Sequence, residues 1–131
     1  MVEGEFHHIG VASQDLARDR RALEAMGYEP EGPEFLDPIQ GIRGQFLRGP
    51  GPRLELVSPV APGGVLQPWL ERGAKMYHLA FAVERLEVEV ERLEQARGRL
   101  VAGPVPAVGF QGRAIAFVML PNLMLVELIQ E

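Results

Sequence analysis

Four residues of types that bind metal ions or move protons stand at matched places in this chain: His8 and His78, Glu55 and Glu127. His78 follows His8 by 70 residues, and the flanking residues correspond as well. Ile9 matches Leu79, Gly10 matches Ala80, Val11 matches Phe81 and Ala12 matches Ala82. Gln45, Phe46 and Leu47 are answered by Ala116, Phe117 and Val118 at an offset of 71, and Leu54, Glu55 and Leu56 by Val126, Glu127 and Leu128 at 72. A near-constant offset held across both halves marks a duplicated structural module. Two copies related by a pseudo-twofold would bring two His and two Glu towards one axis. A Glu between apolar residues on a buried strand is costly unless its charge is compensated. No Lys or Arg occupies the equivalent repeat position to do so. A divalent cation would compensate both carboxylates and use both imidazoles. Two nitrogen and two carboxylate oxygen ligands suit Mn, Fe, Co, Ni or Zn, with positions left open for water or substrate.

The elements that must position these residues follow from pattern. Residues 6–12 read as a strand, and alternation puts Ile9 and Val11 on one face and His8, Gly10 and Ala12 on the other. Its repeat, 77–83, likewise divides Leu79, Phe81 and Val83 from His78, Ala80 and Ala82. Strands around Glu55 and Glu127 turn Leu54 and Leu56, or Val126 and Leu128, away from the Glu. Each of the four strands therefore has a large apolar face suited to packing under a helix, and shows its His or Glu on the other. His7, beside His8, points the opposite way and reads as a surface or strand-entry residue.

Ser13 is the expected N-cap of a helix with Asp15 in its first turn, Leu16, Arg20, Leu23 and Met26 on one face, and Gly27 at its end. Residues 28–35, broken by Pro30 and Pro33, suit an edge strand or loop. A turn begins at Asp37 and Pro38, followed by a strand over 42–48, a tight hairpin at 49–52 and a strand over 53–58. Residues 59–75 connect the modules and hold a short helix over 65–72, carrying Leu66, Trp69 and Leu70. The second module repeats the pattern: strand 77–83, helix 85–97, strands 99–103, 112–119 and 123–130. Leu86, Val90 and Leu93 form the helix's apolar stripe, with Glu89 and Arg92 outside. The Pro-rich loop 103–112 is long for a hairpin and is expected to fold over a site. The expectation is a single α+β domain, 1–131, of two tandem β-α-β-β-β modules, about 6–58 and 76–131, forming a cupped mixed sheet with helices on the outside.

At 131 residues the chain is long enough to bury a core, and 47% hydrophobic with 24% charged residues is ordinary for a globular protein. A net charge of −5 gives no basic surface for nucleic acid. With no cysteine there is neither disulfide nor thiolate chemistry. The acidic start, Met1 to Glu5, lacks the basic, then apolar, pattern of a signal peptide, and no stretch approaches the roughly 18 apolar residues of a membrane span. A cytoplasmic protein without a membrane or nucleic-acid partner is expected.

At these residues the chain resembles the vicinal-oxygen-chelate superfamily, which includes glyoxalase I, methylmalonyl-CoA epimerase, extradiol dioxygenases and antibiotic-resistance proteins. Phe6 to Val11 is similar to the family's opening strand, Tyr77 to Phe81 to the second-module opening, and Val126 to Leu128 to the closing strand. Asp37 to Ile42, Pro59 and the linker helix 65–73 resemble the epimerase-like glyoxalase group. The resemblance implies a metal held by His8, Glu55, His78 and Glu127 that chelates neighbouring oxygens of a small 2-oxo or acyl-thioester substrate and stabilises an enolate-like anion as a Lewis acid. A base then shifts a proton beside the carbonyl, and Glu127 could double as that base. The implied function is a metal-dependent isomerase or lyase of the epimerase or glyoxalase type; the family pairs modules within or between chains, and a homodimer is expected. The alternative is a non-catalytic protein that sequesters a small molecule in the same cup. A ring-opening dioxygenase fits less well, because Glu55 stands where those enzymes place a second His. If Phe46 faces the helix, Arg43 and Gln45 face the cavity, where an Arg could hold a substrate carboxylate. Gln40 and Arg113 are further substrate-binding candidates.

Overall fold

A computed structural model describes residues 4–131; residues 1–3, part of the acidic start read above, lie outside the described residues. The chain forms two compact units, one of residues 8–77 and one of residues 78–131 together with 4–7. Both are α+β.

In the first unit, the elements are β1 (Gly4–Ala12, from residue 8 onward), α1 (Leu16–Glu24), β2 (Glu29–Pro30), β3 (Phe35–Asp37), β4 (Ile42–Arg48), β5 (Leu54–Pro59) and α2 (Gln67–Glu71). β1 runs parallel to β5, setting Ile9 opposite Leu54, Gly10 opposite Glu55 and Val11 opposite Leu56. β4 pairs antiparallel with β5, and both β2 and β3 lie antiparallel on β4. The short β3 adds a strand to the expected pattern: the chain is already paired at Asp37, where only a turn was expected. The turn follows at once, closed by Gly41 N–H donating to the Asp37 carbonyl at 2.8 Å.

The apolar face behaves as alternation requires. Val11, Leu47, Leu54 and Leu56 bury against Leu16 and Tyr28, with Ile9 and Leu23 packed around them. The start of α1 differs from expectation. Asp15, extended at φ −149°, is the N-cap, and its carboxylate accepts from Arg18 N–H at 3.1 Å. Ser13 lies one step too early. Its hydroxyl accepts from Asp15 N–H and donates to Asp19, tying the helix entry to the first turn. Gly27, at φ +102°, ends the helical run as expected, but Met26 lies beyond the helix and is 68% exposed. The linker helix is shorter than 65–72. Leu66, just before it, is fully buried with Ala12, Ile42 and Val57, and Trp69, Leu70 and Tyr77 pack around them. Ala12 and Val57 share the faces of His8 and Glu55, so α2 covers one end of the sheet face opposite α1.

The second unit contains β6 (Met76–Val83, from residue 78 onward), α3 (Leu86–Gln95), β7 (Arg99–Pro106), a 3-10 turn (Val108–Phe110), β8 (Ala114–Met119) and β9 (Leu125–Gln130). β6 runs parallel to β9, β9 antiparallel to β8, and β8 antiparallel to β7. Strand for strand this repeats β1, β5, β4 and β2 of the first unit. Val83, Leu86, Val90, Ala116, Val118, Val126 and Leu128 form the core, with Phe81 and Leu93 packed against it. Residues 4–7 belong here: the Phe6 ring meets Phe81 edge-on at 5.9 Å. α3 has no side-chain cap of its own, but Leu86 N–H at its start donates to Gln130 Oε1 at 2.9 Å.

Two expectations in this unit change. The segment 103–112 is not a long loop: β7 continues to Pro106, and the 3-10 turn fills half of the remainder. Glu89 is not outside but buried. It completes the i, i+3, i+4, i+7 stripe with Leu86, Val90 and Leu93, so helix geometry turns it inward. Arg92, one turn on, pairs with it at 2.5 Å and supplies the compensating charge.

Candidate metal-binding residues

In the first unit, alternation along β1 turns His8 away from α1, and alternation along β5 does the same for Glu55. Both are buried, and His8 Nε2 lies 3.2 Å from Glu55 Oε1. Gly10, directly opposite Glu55, has no side chain to fill the space beside the carboxylate. In the second unit, β6 and β9 present His78 and Glu127 in the same way. Both are buried, His78 Nε2 lies 3.1 Å from Glu127 Oε1, and Ala80 is opposite Glu127. The duplication has thus reproduced a contact as well as residue types. Each pair joins one imidazole nitrogen to one carboxylate, donor chemistry that first-row divalent ions take.

A third residue repeats with each pair. Phe46 on β4 is the direct cross-strand partner of Glu55, and its ring meets the His8 ring edge-on at 5.4 Å and 74°. Phe117 on β8 is the partner of Glu127, and its ring meets His78 at 5.3 Å and 78°. These aromatics were not expected at the site, although the repeat of Phe46 as Phe117 was visible.

The position of Phe46 corrects the premise used for the substrate-binding candidates. Leu47, not Phe46, lies under α1. Gln45 shares the face of Leu47 and of its partner Leu56, away from Glu55. There it accepts from Arg20 Nη1 of α1 at 3.0 Å and donates to the Gly32 carbonyl at 3.0 Å. Arg43, two residues earlier, has the same parity and is exposed. The condition, Phe46 facing the helix, is not met, and alternation then turns Arg43 and Gln45 away from Glu55. Gln40 is half-buried and donates its side-chain amide to Asp37 at 2.8 Å. Arg113 is exposed, and its Nε donates to the Phe110 carbonyl, bracing the 3-10 turn. His7, half-buried, sets its ring edge-on to Phe110 at 5.4 Å.

Sequence reading also missed Asp37. It is fully buried and accepts from the N–H groups of Ile39 and Gln40, both at 3.1 Å, as well as from the Gln40 side chain. Asp37 is opposite Ile42, on the sheet face of Phe46 and Glu55. An Asp before Pro reads as a turn residue, which hid its burial.

Residues 7–117 match the family described as the Glyoxalase/Bleomycin resistance protein/Dioxygenase superfamily. The chain belongs to this superfamily. It is similar to an ethylmalonyl-CoA/methylmalonyl-CoA epimerase of Cereibacter sphaeroides, 27% identical over 117 residues that cover 87% of each chain. It is also similar to the methylmalonyl-CoA epimerase of Mycobacterium tuberculosis, at 26% identity and a TM-score of 0.80, over 98% of this chain and 88% of that one. A Streptomyces coelicolor methylmalonyl-CoA epimerase in complex with 2-nitronate-propionyl-CoA shares the fold, with a TM-score of 0.79 at 23% identity over 98% and 97% of the two chains. The α+β class and the repeated modules are those of the superfamily.

Proposed function

We propose that this chain is a divalent-metal-dependent epimerase acting on an acyl-CoA thioester of the methylmalonyl or ethylmalonyl type. The observation that carries the reading is the duplicated His–Glu pair, in a superfamily member similar over most of its length to an epimerase of those substrates. His8, Glu55, His78 and Glu127 make a candidate metal-ligand group among the described residues. The donor set fits: two neutral imidazoles and two carboxylates balance the charge of a divalent ion, and burying the carboxylates is costly without such compensation. A cation there supplies Lewis acidity towards the neighbouring carbonyl oxygens of the substrate.

This chain's own residues do the remaining work. Glu127 takes the proton from the carbon between the thioester and the carboxylate of the substrate, a proton made acidic by the thioester carbonyl, and a proton from water added to the opposite face of the planar enolate completes the epimerisation. The burial of Glu127 keeps water from competing for the proton it takes, and Phe117 beside it closes the apolar side. Gly10 and Ala80 keep the strand faces beside both carboxylates open.

Exchange of the C2 proton of methylmalonyl-CoA with deuterium, followed by NMR, tests the reading. Co(II)-loaded protein is expected to exchange, and Glu127→Gln to lose about 10²- to 10⁴-fold. Wild-type exchange that survives exhaustive chelation, or the absence of exchange with Co, Ni, Mn, Zn and Fe in turn, would sink it. Tight binding of the thioester without exchange would instead establish a sequestering protein.

A further inference from the structure

The two aromatic residues at the His–Glu pairs have no role towards the imidazoles in the reading above, yet they are repeated as faithfully as the ligands. We infer that Phe46 and Phe117 are positioning residues that fix the ring planes of His8 and His78 for metal binding; the inference rests on the proposed metal site.

The argument begins with the strands. An antiparallel cross-strand pair brings two side chains together on one sheet face. Phe46 and Glu55 form such a pair, as do Phe117 and Glu127. Each Phe therefore stands next to the carboxylate that its His contacts. Its ring meets the imidazole nearly perpendicular, at 74° in one unit and 78° in the other, with centroids 5.4 and 5.3 Å apart. That is the edge-to-face arrangement favoured by the ring quadrupole. Tilting either imidazole plane away from the perpendicular would weaken this edge-to-face contact. The Phe contact thus favours the imidazole plane in which Nε2 lies 3.2 Å (His8) or 3.1 Å (His78) from the Glu oxygen.

Metal-ligating His rings are commonly oriented by a hydrogen bond to the other ring nitrogen. The nonpolar ring contact acts on the imidazole plane in addition to any such polar partner. Both Phe residues are only half-buried, so they also stand between the His–Glu pairs and water. Neither is explained by core packing alone: Leu47 and Val118, the next residues, are the ones that fill the cores under α1 and α3.

The test uses Co(II) titration of the full chain, read by visible absorption, on wild type, Phe46→Leu, Phe117→Leu and Phe46→Tyr, with Phe6→Leu as control. Leu keeps apolar bulk but not the planar edge. Each Leu variant is expected to bind Co(II) about 10- to 100-fold more weakly, the range for residues that orient ligands, and to shift the ligand-field bands. Phe46→Tyr restores both, and Phe6→Leu, whose edge contact is with Phe81 and not with His8 or His78, changes neither. Thermal melting of the metal-free proteins identifies a variant that merely unfolds; a Phe46→Leu that does so is replaced by Phe46→Met. Wild-type affinity and spectrum in both folded variants would overturn the inference while leaving the metal site standing. A wild-type chain that binds no Co(II) would overturn both.

Discussion

Asp19 illustrates how one side chain can join distant parts of a unit. Its carboxylate accepts from Ser13 Oγ and from Lys75 Nζ, 56 residues away, at 3.2 Å. Burial pushes the carboxyl up, but the Ser13 and Lys75 hydrogen bonds and the charges of Lys75 and Arg18 outweigh it and hold it below its ordinary value. A carboxyl depressed on folding stabilises the native state fully above the ordinary value of 3.8 and loses that contribution as pH falls through the lower folded value. Asp19→Asn is therefore expected to cost about 1 kcal/mol at pH 7. The gap to wild type should close below pH 3.8, as read by urea unfolding across pH. The sequence showed the four candidate ligands because they repeat, and the repeat is visible without a structure. Asp37 has no acidic counterpart in the other module; Asp19 does align with Glu89, but its partners, Ser13 and a linker lysine, are not copied with it. Nothing along the chain announces such contacts.

Elements were readable where one face is apolar and the period is clear. β1, β4, β5, β6, β8 and β9 lie within a few residues of expectation, because alternation of large apolar residues fixes both the strand and its buried side. Reading failed where local chemistry competes with period. At 103–106 two prolines suggested a loop, yet β7 runs through them beside β8. Register shifts between Leu100 and Ala102 and between Ala102 and Val105 absorb the irregularity. Gly103 sits at this break with φ +86°, and a Cβ there would run into the Ile115 carbonyl oxygen. Gly103→Ala is expected to destabilise the protein by about 1–3 kcal/mol, measured by denaturant midpoint. At the head of α1 both Ser13 and Asp15 are good caps by type, and only the structure decides between them. Asp15→Ala should cost about 1 kcal/mol, visible as a lowered melting temperature. Leu66, fully buried just ahead of a five-residue helix, is expected to cost about 2–5 kcal/mol as Leu66→Ala. So short a helix holds its place through packing more than through propensity.

At the scale of the whole chain, binding should report on folding. A ligand that binds only the native state stabilises it by mass action, about 2.7 kcal/mol at a hundred times its Kd. For a chain of this length that is a rise of roughly 10 °C in Tm. Differential scanning calorimetry with saturating Co(II) should show it, and His78→Ala should abolish it. An unchanged wild-type Tm would count against the site as strongly as a missing spectrum.

Strand β1 finally separates two ideas that are easily confused, the repeat that heredity copied and the piece that stands by itself. The copies run from about 6 and about 76, but residues 4–7 are packed with the half that the later copy builds. A gene cut at the repeat boundary would hand the later fragment a Phe81 stripped of Phe6, and leave the earlier one trailing a strand end with nowhere to lie. Descendants of a doubled ancestor, the two pieces are no longer portable.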